Sequence, residues 1–245
     1  MEQQNSEIKY IKFSSTQDEV KKTLLKTMKN NHLIYNKYKN INITPIYLPC
    51  NLYTYDVCGF IDLKCIKRSS WKSQNYKYVK SDEYKANREV TGKVFDVVVC
   101  CHKELDINDL LLSYDYKKLK KFDSSKPLKY NVLKGDKTKL KIKKEGIEKA
   151  KEKLKNEIID GIIGYDYIEE DKSSLLFNNE VLNHVLLPVW IVELSGEDSI
   201  QKFYINGQNN SIFYKFKASG YRLFILWIVL FIITLVIMLL INILR

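Results

Sequence analysis

The pattern of hydrophobic and polar positions separates one short C-terminal segment from the rest of the chain. From Leu223 to Ile241 every residue except Thr234 is apolar, and no charged residue occurs. A helix of this length is about 28 Å long, which is close to the hydrocarbon thickness of a bilayer. We therefore predict a single transmembrane helix here. The residues that represent this anchor are Leu223, Trp227, Phe231 and Ile241.

The charges beside the apolar segment predict its orientation in the membrane. Three cations precede it and one follows it: Lys215, Lys217 and Arg222 on the N-terminal side, and Arg245 on the C-terminal side. Lys and Arg near a membrane span favour the cytoplasmic side. The predicted organisation is a cytoplasmic domain over residues 1–220 and a single-pass anchor in the cell membrane over residues 221–245.

Apolar residues at helical spacing predict three helices in the part of the chain that precedes the apolar segment. They recur every four positions from Val20 to Met28 after a capping-box pattern, which predicts a helix that ends near Asn30. A leucine-rich stretch predicts a short helix that begins near Asp106. The longest helix is predicted over about Lys143–Ile159, where one narrow apolar stripe repeats between faces dense in Lys and Glu.

Alternation of apolar and polar residues, together with many Ile, Val and Tyr, predicts strands. These strands are Ile46–Asp56, Gly59–Lys67, Val94–Cys101, Tyr165–Ile168, Val185–Leu194, Gln201–Asn206 and Ser211–Lys215. The polar stretch Trp71–Glu83 indicates a loop or a ragged hairpin. Asn206 followed by Gly207 is a strong hairpin signal. The predicted fold class is α+β: an antiparallel or mixed sheet of six to eight strands packed by two or three helices, plus the C-terminal transmembrane helix.

A short internal similarity links two of these strands. Ile46–Pro49 reads IYLP and Val185–Pro188 reads VLLP. A match of this length arises by chance, or it indicates two similar strands that lie side by side in one sheet.

The positive charge is concentrated in one segment. The net charge is +11, and residues Lys126–Lys155 alone carry +8. Three interpretations remain open: a solvated helix face, a surface for anionic lipid headgroups, or a surface for nucleic acid. The candidate lipid contacts are Lys139, Lys141, Lys143, Lys144, Lys215, Lys217 and Arg222. Tyr and Lys also alternate between Tyr76 and Lys85, as in proteins that bind single-stranded nucleic acid.

The sequence contains none of the common catalytic or metal-binding motifs. There is no GxSxG, GxGxxG, HExxH, GxxxxGK[ST] or CxxC pattern. Cys101 and His102 are neighbours on a predicted strand, so their side chains point to opposite faces. The acidic group at residues 166–171 lacks the spacing of a calcium loop and is predicted to be a solvated loop. We predict no catalytic residues, no metal and no cofactor, and five free thiols in a cytosolic domain.

The order of several motifs resembles a bacterial family of membrane-anchored zinc-ribbon proteins, loosely labelled helicase-like. The motifs are YLPCNLYTYDV, VFDVVV, a Lys- and Glu-rich helix, LLPVWIVEL and FYINGQ, followed by the apolar segment. Two features depart from that family. The zinc ribbon is missing, and NGQNNS stands at Asn206–Ser211 where the family has NGQTGK.

The resemblance implies a non-catalytic, membrane-anchored interaction or scaffold protein on the cytoplasmic face. It also implies a role in membrane stress or membrane-complex assembly, with membrane lipids and one or more proteins as partners. The alternative hypothesis is a membrane-tethered nucleic-acid-binding protein, which would use the lysine-rich segment and the Tyr/Lys stretch.

Overall fold

The structure is a computed structural model that describes residues 7–30, 40–74, 76–103, 105, 107–123, 125, 127–195, 200–213 and 220–243. The strands are β1 (Ile8–Tyr10), β2 (Asn40–Ser73), β3 (Tyr76–Cys100), β4 (Lys120–Lys121), β5 (Tyr167–Ser195), β6 (Ile200–Asn206) and β7 (Ile212–Phe213). The helices are α1 (Gln17–Asn30), α2 (Asn108–Leu112), a 3-10 turn (Tyr116–Lys118), α3 (Lys139–Asp160) and α4 (Gly220–Ile243).

Three long antiparallel strands form the body of the sheet. Their lengths are 34 residues in β2, 25 in β3 and 29 in β5. The described strands form one seven-stranded sheet with the order β3-β2-β5-β1-β4, and β6 pairs with β5 and β7. β1 runs parallel to β5, so the sheet is mixed. At about 3.3 Å per residue, β2 alone has a contour of about 110 Å.

The α+β prediction with its transmembrane helix is wrong. Strands make up 52% of the structure and helices 27%, so the protein is mostly sheet. Among the described residues, no helix is long and apolar enough to cross a membrane. In α4 the described side chains of Trp227 and Phe231 are 71% and 66% exposed.

Two pairs of predicted strands each correspond to one strand in the structure. The predicted strands Tyr165–Ile168 and Val185–Leu194 correspond to β5, which begins at Tyr167. The stretch from Ile46 to Lys67 belongs to β2, with no break at Gly59. Gly59 pairs with Val90 on one side and with Leu175 on the other, so its neighbours hold it in the ladder. The polar stretch after Trp71 is the hairpin alternative, because β2 and β3 stay paired up to Ser73 and Tyr76.

The internal similarity reflects strand pairing, which confirms the second interpretation. β2 and β5 pair along their lengths, and the two short motifs lie against each other. Leu48 is opposite Leu187, and Tyr47 is opposite Pro188. The same register places Trp190 opposite Pro45.

Helices cover both faces of the sheet. α1 buries Val20 and Leu24 against Trp190 and Phe203, which confirms the predicted apolar stripe. α3 packs its own stripe on Tyr53, Tyr55 and neighbouring valines. α1 and α3 lie on one face of the sheet, and α2 contributes to a third cluster on the opposite face. α3 begins at Lys139, four residues before the predicted start, because the Thr138 hydroxyl accepts from the Lys141 amide and caps the helix.

Candidate functional site

A cleft of about 620 Å³ lies between the segment that precedes α1 and the loop that precedes α3. Tyr47 of β2 and Trp190 of β5 are buried at its base. Phe13 lines it from the N-terminal segment, and Tyr130 lines it from the loop. Ligand sites commonly have volumes of about 300–1,000 Å³ and mostly apolar walls, so the cleft has the dimensions of a binding site.

The aromatic rings of the cleft hold one another in place. Phe13 makes edge-to-face contacts with Tyr47, Tyr130 and Trp190, at centroid distances of 5.3, 4.8 and 5.1 Å. Tyr10 contacts Tyr47 in the same way at 6.3 Å. Edge-to-face pairs stabilise by about 0.5–1.5 kcal/mol each beyond the area they bury. The cleft is therefore formed before any ligand arrives.

Hydrogen bonds fasten the N-terminal wall to the turn between β6 and β7. The Trp190 indole N–H donates to Ser15 Oγ at 2.9 Å, and Ser15 Oγ donates to the Gly207 carbonyl at 3.1 Å. The backbone amides of Ser14 and Ser15 donate to the same carbonyl. A Cβ on Gly207 would lie 2.7 Å from the Phe13 ring, so only glycine lets this ring reach its place.

The Asn206–Ser211 turn ties the sheet to the segment that follows α2. Asn206 is fully buried, and its amide nitrogen donates to Ser113 Oγ at 2.8 Å. Gln208 exchanges two hydrogen bonds with the backbone of Asp115, and Asn209 donates to the Ser113 carbonyl. The predicted hairpin is confirmed, since β6 and β7 pair across this turn. The side chains of Asn206, Gln208 and Asn209 are therefore engaged in contacts within the protein.

The charge of the cleft is positive. Lys12 and Lys129 line it, and the described residues of its lining include no Asp, Glu, His or Cys. The Lys129 ammonium lies 5.1 Å from the centre of the Tyr130 ring. Burial raises the pKa of the Tyr47 phenol, so this ring stays neutral. The cleft offers aromatic surface and cations, and no general base.

The side chains whose types are most often catalytic lie elsewhere, around Asn51. Asn51 Oδ1 accepts from His184 Nδ1 at 2.9 Å and from the Cys101 thiol at 3.7 Å, and Asn51 Nδ2 donates to the Tyr53 hydroxyl at 3.0 Å. Burial raises the pKa of Cys101 to about 11. Burial and then Lys139 lower the pKa of His184. A nucleophilic cysteine needs its thiolate form, and here the thiol and the imidazole are both neutral at pH 7.

Alkylation rates test this assignment. At pH 8, iodoacetamide is expected to modify Cys101 at least about 100-fold more slowly than the exposed Cys58, because a thiol with a pKa of about 11 is roughly 0.1% ionised. The Cys101 rate should rise about tenfold per pH unit between pH 7 and pH 10. Timed labelling followed by peptide mass spectrometry measures both rates. Equal rates at pH 8 would show that Cys101 is an activated thiol.

Cys50 and Cys100 are directly opposite each other on β2 and β3. Both are buried, and all five cysteines are free. A hydrogen bond from Cys50 lowers the pKa of Cys100, although burial opposes the shift. Their burial withholds them from bulky reactants, and they belong to the core around α2.

The structure describes four of the seven predicted lipid-contacting cations. Lys139, Lys141, Lys143 and Lys144 are exposed in the first two turns of α3. Lys143 pairs with Glu180 at 2.8 Å, and Lys144 pairs with Glu148 at 4.0 Å. The remaining three, Lys215, Lys217 and the side chain of Arg222, lie outside the described residues. So do the anchor side chains of Leu223 and Ile241.

The acidic group at residues 166–171 is part of the sheet edge and the turn before it. Glu170 accepts from the Ser173 hydroxyl and pairs with Lys151 and Lys155 of α3 at 3.3 and 3.2 Å. These contacts, the Ser173 hydrogen bond above all, lower the pKa of Glu170 to about 2. The prediction of a solvated loop is wrong, because Glu170 holds α3 to β5. Among the described residues no group of three or more His, Cys, Asp or Glu side chains could hold a metal ion.

Sequence reasoning missed both the cleft and the Asn51 cluster. Their members are far apart in the chain; the register of β2 against β5 places Asn51 opposite His184 and Tyr47 near Trp190, and other segments supply the remaining residues. The IYLP and VLLP similarity was the one signal of that register. Comparisons with protein-family models, with known proteins and with solved structures find no match to this chain, so the resemblance to the zinc-ribbon family stays a prediction.

Proposed function

We propose that this protein is a non-catalytic interaction protein of the cytoplasmic face of the cell membrane, and that its cleft binds an extended, acidic, proline-containing segment of a partner protein. The observation that carries the proposal is the preformed aromatic cleft built around Phe13. Aromatic rings and cations line it, and among the described residues the thiols and imidazoles lie elsewhere.

The shape of the cleft favours an extended segment with proline. Grooves lined by Tyr, Trp and Phe bind polyproline II segments, because proline rings pack flat on aromatic rings and the segment is already ordered before binding. Tyr10, Phe13 and Tyr130 are partly exposed and supply such surfaces above the buried Tyr47 and Trp190. The charge of Lys12 and Lys129 favours carboxylates next to the prolines.

The membrane part of the proposal rests on α4. Its described side chains are almost all apolar and exposed, and exposed apolar surface of this extent marks contact with lipid or with another protein. We propose that this apolar surface contacts membrane lipid, which does not require a helix that crosses the bilayer; the described residues contain no such helix. A role in membrane stress or membrane-complex assembly stays a prediction.

Binding of a synthetic peptide tests the cleft. The probe has proline at every third position and glutamate between the prolines, and Trp190 fluorescence reports its binding in a full-length Trp71→Phe/Trp227→Phe background that leaves Trp190 as the one tryptophan. Replacing Tyr130 with alanine is expected to weaken binding by at least about tenfold, because a central aromatic contact contributes about 2 kcal/mol or more. The matched control is Tyr167→Ala, which removes an exposed tyrosine of β5 far from the cleft.

Two further probes decide whether the chemistry is as proposed. A peptide with lysine in place of glutamate should bind at least about tenfold more weakly, and so should Lys12→Gln/Lys129→Gln with the acidic peptide. Saturable binding of a nucleoside monophosphate, without binding of the acidic peptide, would replace the proposal by a nucleotide site. No saturable change with any probe would overturn it.

A further inference from the structure

A two-stranded ribbon projects from one end of the sheet. β2 pairs with β5 only as far as Ile66, opposite Tyr167, whereas its pairing with β3 continues to Ser73 opposite Tyr76. We call residues 67–80 the basic ribbon. It contains five cations and no acidic residue: Lys67, Arg68, Lys72, Lys77 and Lys80. Its described residues are exposed throughout.

One face of the basic ribbon is aromatic. Trp71 is opposite Tyr78 and Ser73 is opposite Tyr76, so the three rings share a face. They are 51%, 46% and 68% exposed, in the order Trp71, Tyr78, Tyr76. Trp71 and Tyr78 are stacked at 5.7 Å with their planes 14° apart. Together they form a flat, solvent-facing platform.

The cations of the basic ribbon lie on both of its faces. Lys80 is opposite Ser69, so it lies on the aromatic face, and the ion pair with Asp82 fixes its side chain at 2.9 Å. Lys72 and Lys77 are opposite each other on the reverse face. Exposed rings with lysines around them suit a ligand that has flat unpaired rings along an anionic backbone.

We propose that the basic ribbon binds single-stranded nucleic acid, with bases stacked on Trp71, Tyr76 and Tyr78 and phosphates contacted by the lysines. A stack of this kind does not select a sequence, because every base has a π face. The inference goes beyond the proposed function and does not depend on it. The cleft and the ribbon lie at opposite ends of β2.

The position of the ribbon separates it from the apolar surface of α4. β7 ends opposite Tyr204, which itself pairs with Ile191, so the chain leaves the sheet 24 residues along β5 from Tyr167. This is a strand contour of about 80 Å. The chain from Phe213 to Gly220 reaches at most about 25 Å. α4 therefore begins near the end of the sheet that is far from the ribbon.

Fluorescence anisotropy of a labelled thymidine oligonucleotide of about 20 residues tests the proposal with the full-length protein. The stacking variant Trp71→Ala/Tyr76→Ala/Tyr78→Ala keeps every charge and is expected to weaken binding by about 30-fold or more. The phosphate variant Lys67→Gln/Lys80→Gln removes the two cations on the aromatic face and should reduce the slope of log K against log salt concentration by about 1.4. A variant that failed to fold would lose binding altogether, whereas this variant should still bind with a smaller salt dependence.

The matched control is Lys141→Gln/Lys144→Gln, which removes the same charge from α3 and should leave the affinity within about twofold. All substituted side chains are exposed, and an unchanged unfolding midpoint confirms folding. Four results would each overturn the proposal: no binding, equal binding by the stacking variant, equal affinity for duplex DNA, or equal affinity for polyglutamate. Binding to anionic lipid vesicles with no binding to the oligonucleotide would also overturn it.

Discussion

Replacing Gly59 with alanine is expected to lower the free energy of unfolding by about 3–5 kcal/mol. Gly59 lies in the middle of β2 with a φ of +142°, a conformation that side chains disfavour. A Cβ at this position would lie 2.0 Å from the Ser174 carbonyl oxygen of β5. That oxygen belongs to the backbone of β5, so it cannot move aside without breaking the ladder between β2 and β5.

Gly92→Ala is the matched control, because Gly92 is also in a strand of the same sheet. A Cβ there would have no neighbour within 4 Å. The free energy of unfolding of this variant should lie within about 1 kcal/mol of that of the parent protein. A small increase is also consistent with the structure, since alanine reduces the freedom of the unfolded chain. Urea unfolding of the full chain, followed by circular dichroism, compares the two. Similar midpoints for both variants would contradict the close approach of β2 and β5.

Replacing Asn206 with alanine is expected to lower the free energy of unfolding by about 2–4 kcal/mol. Asn206 is fully buried between the sheet and the end of α2. Its amide donates to Ser113 Oγ at 2.8 Å, and its oxygen accepts from the Gln208 amide at 2.7 Å. Alanine leaves both partners without their hydrogen bond and opens a cavity. The cleft peptide should also bind more weakly, because the neighbouring Gly207 carbonyl positions Ser14 and Ser15.

Asn209→Ala separates burial from hydrogen bonding in this turn. Asn209 donates to the Ser113 carbonyl at 2.7 Å, but it is exposed, and water can replace the contact. Its loss should cost about 1 kcal/mol or less. The same urea experiment measures both variants. If Asn209→Ala were as destabilising as Asn206→Ala, the buried network would not be the source of stability.

The positions of α1 and α3 were the part of the fold that the sequence predicted well. A period of 3.6 residues leaves a visible stripe, so α1 and α3 were located from Val20, Leu24, Ala150 and Leu154. The strand-rich segments were also located, but their ends were not. Glycine and aspartate near position 59 have the composition of a turn, whereas the structure uses this glycine for a close approach of two strands.

The candidate site was harder to predict, because no spacing in the sequence encodes it. Phe13, Tyr47, Tyr130 and Trp190 are separated by 34, 83 and 60 residues. Their meeting depends on strand register and on the turn at Gly207. The acidic group at 166–171 failed for a similar reason, since its partners Lys151 and Lys155 come from another element. Local composition cannot report a partner that only the topology supplies.

The length of β2 also sets the order in which the sheet assembles. Its pairing with β3 joins residues as close in the chain as Ser73 and Tyr76, so this hairpin needs no distant contact. Its pairing with β5 joins residues as far apart as Asn40 and Ser195. Non-local pairing is slow, so the hairpin forms first and waits with one edge of β2 unpaired. During that interval a second copy of the chain competes with β5 for the same edge, and misassembly rises with concentration.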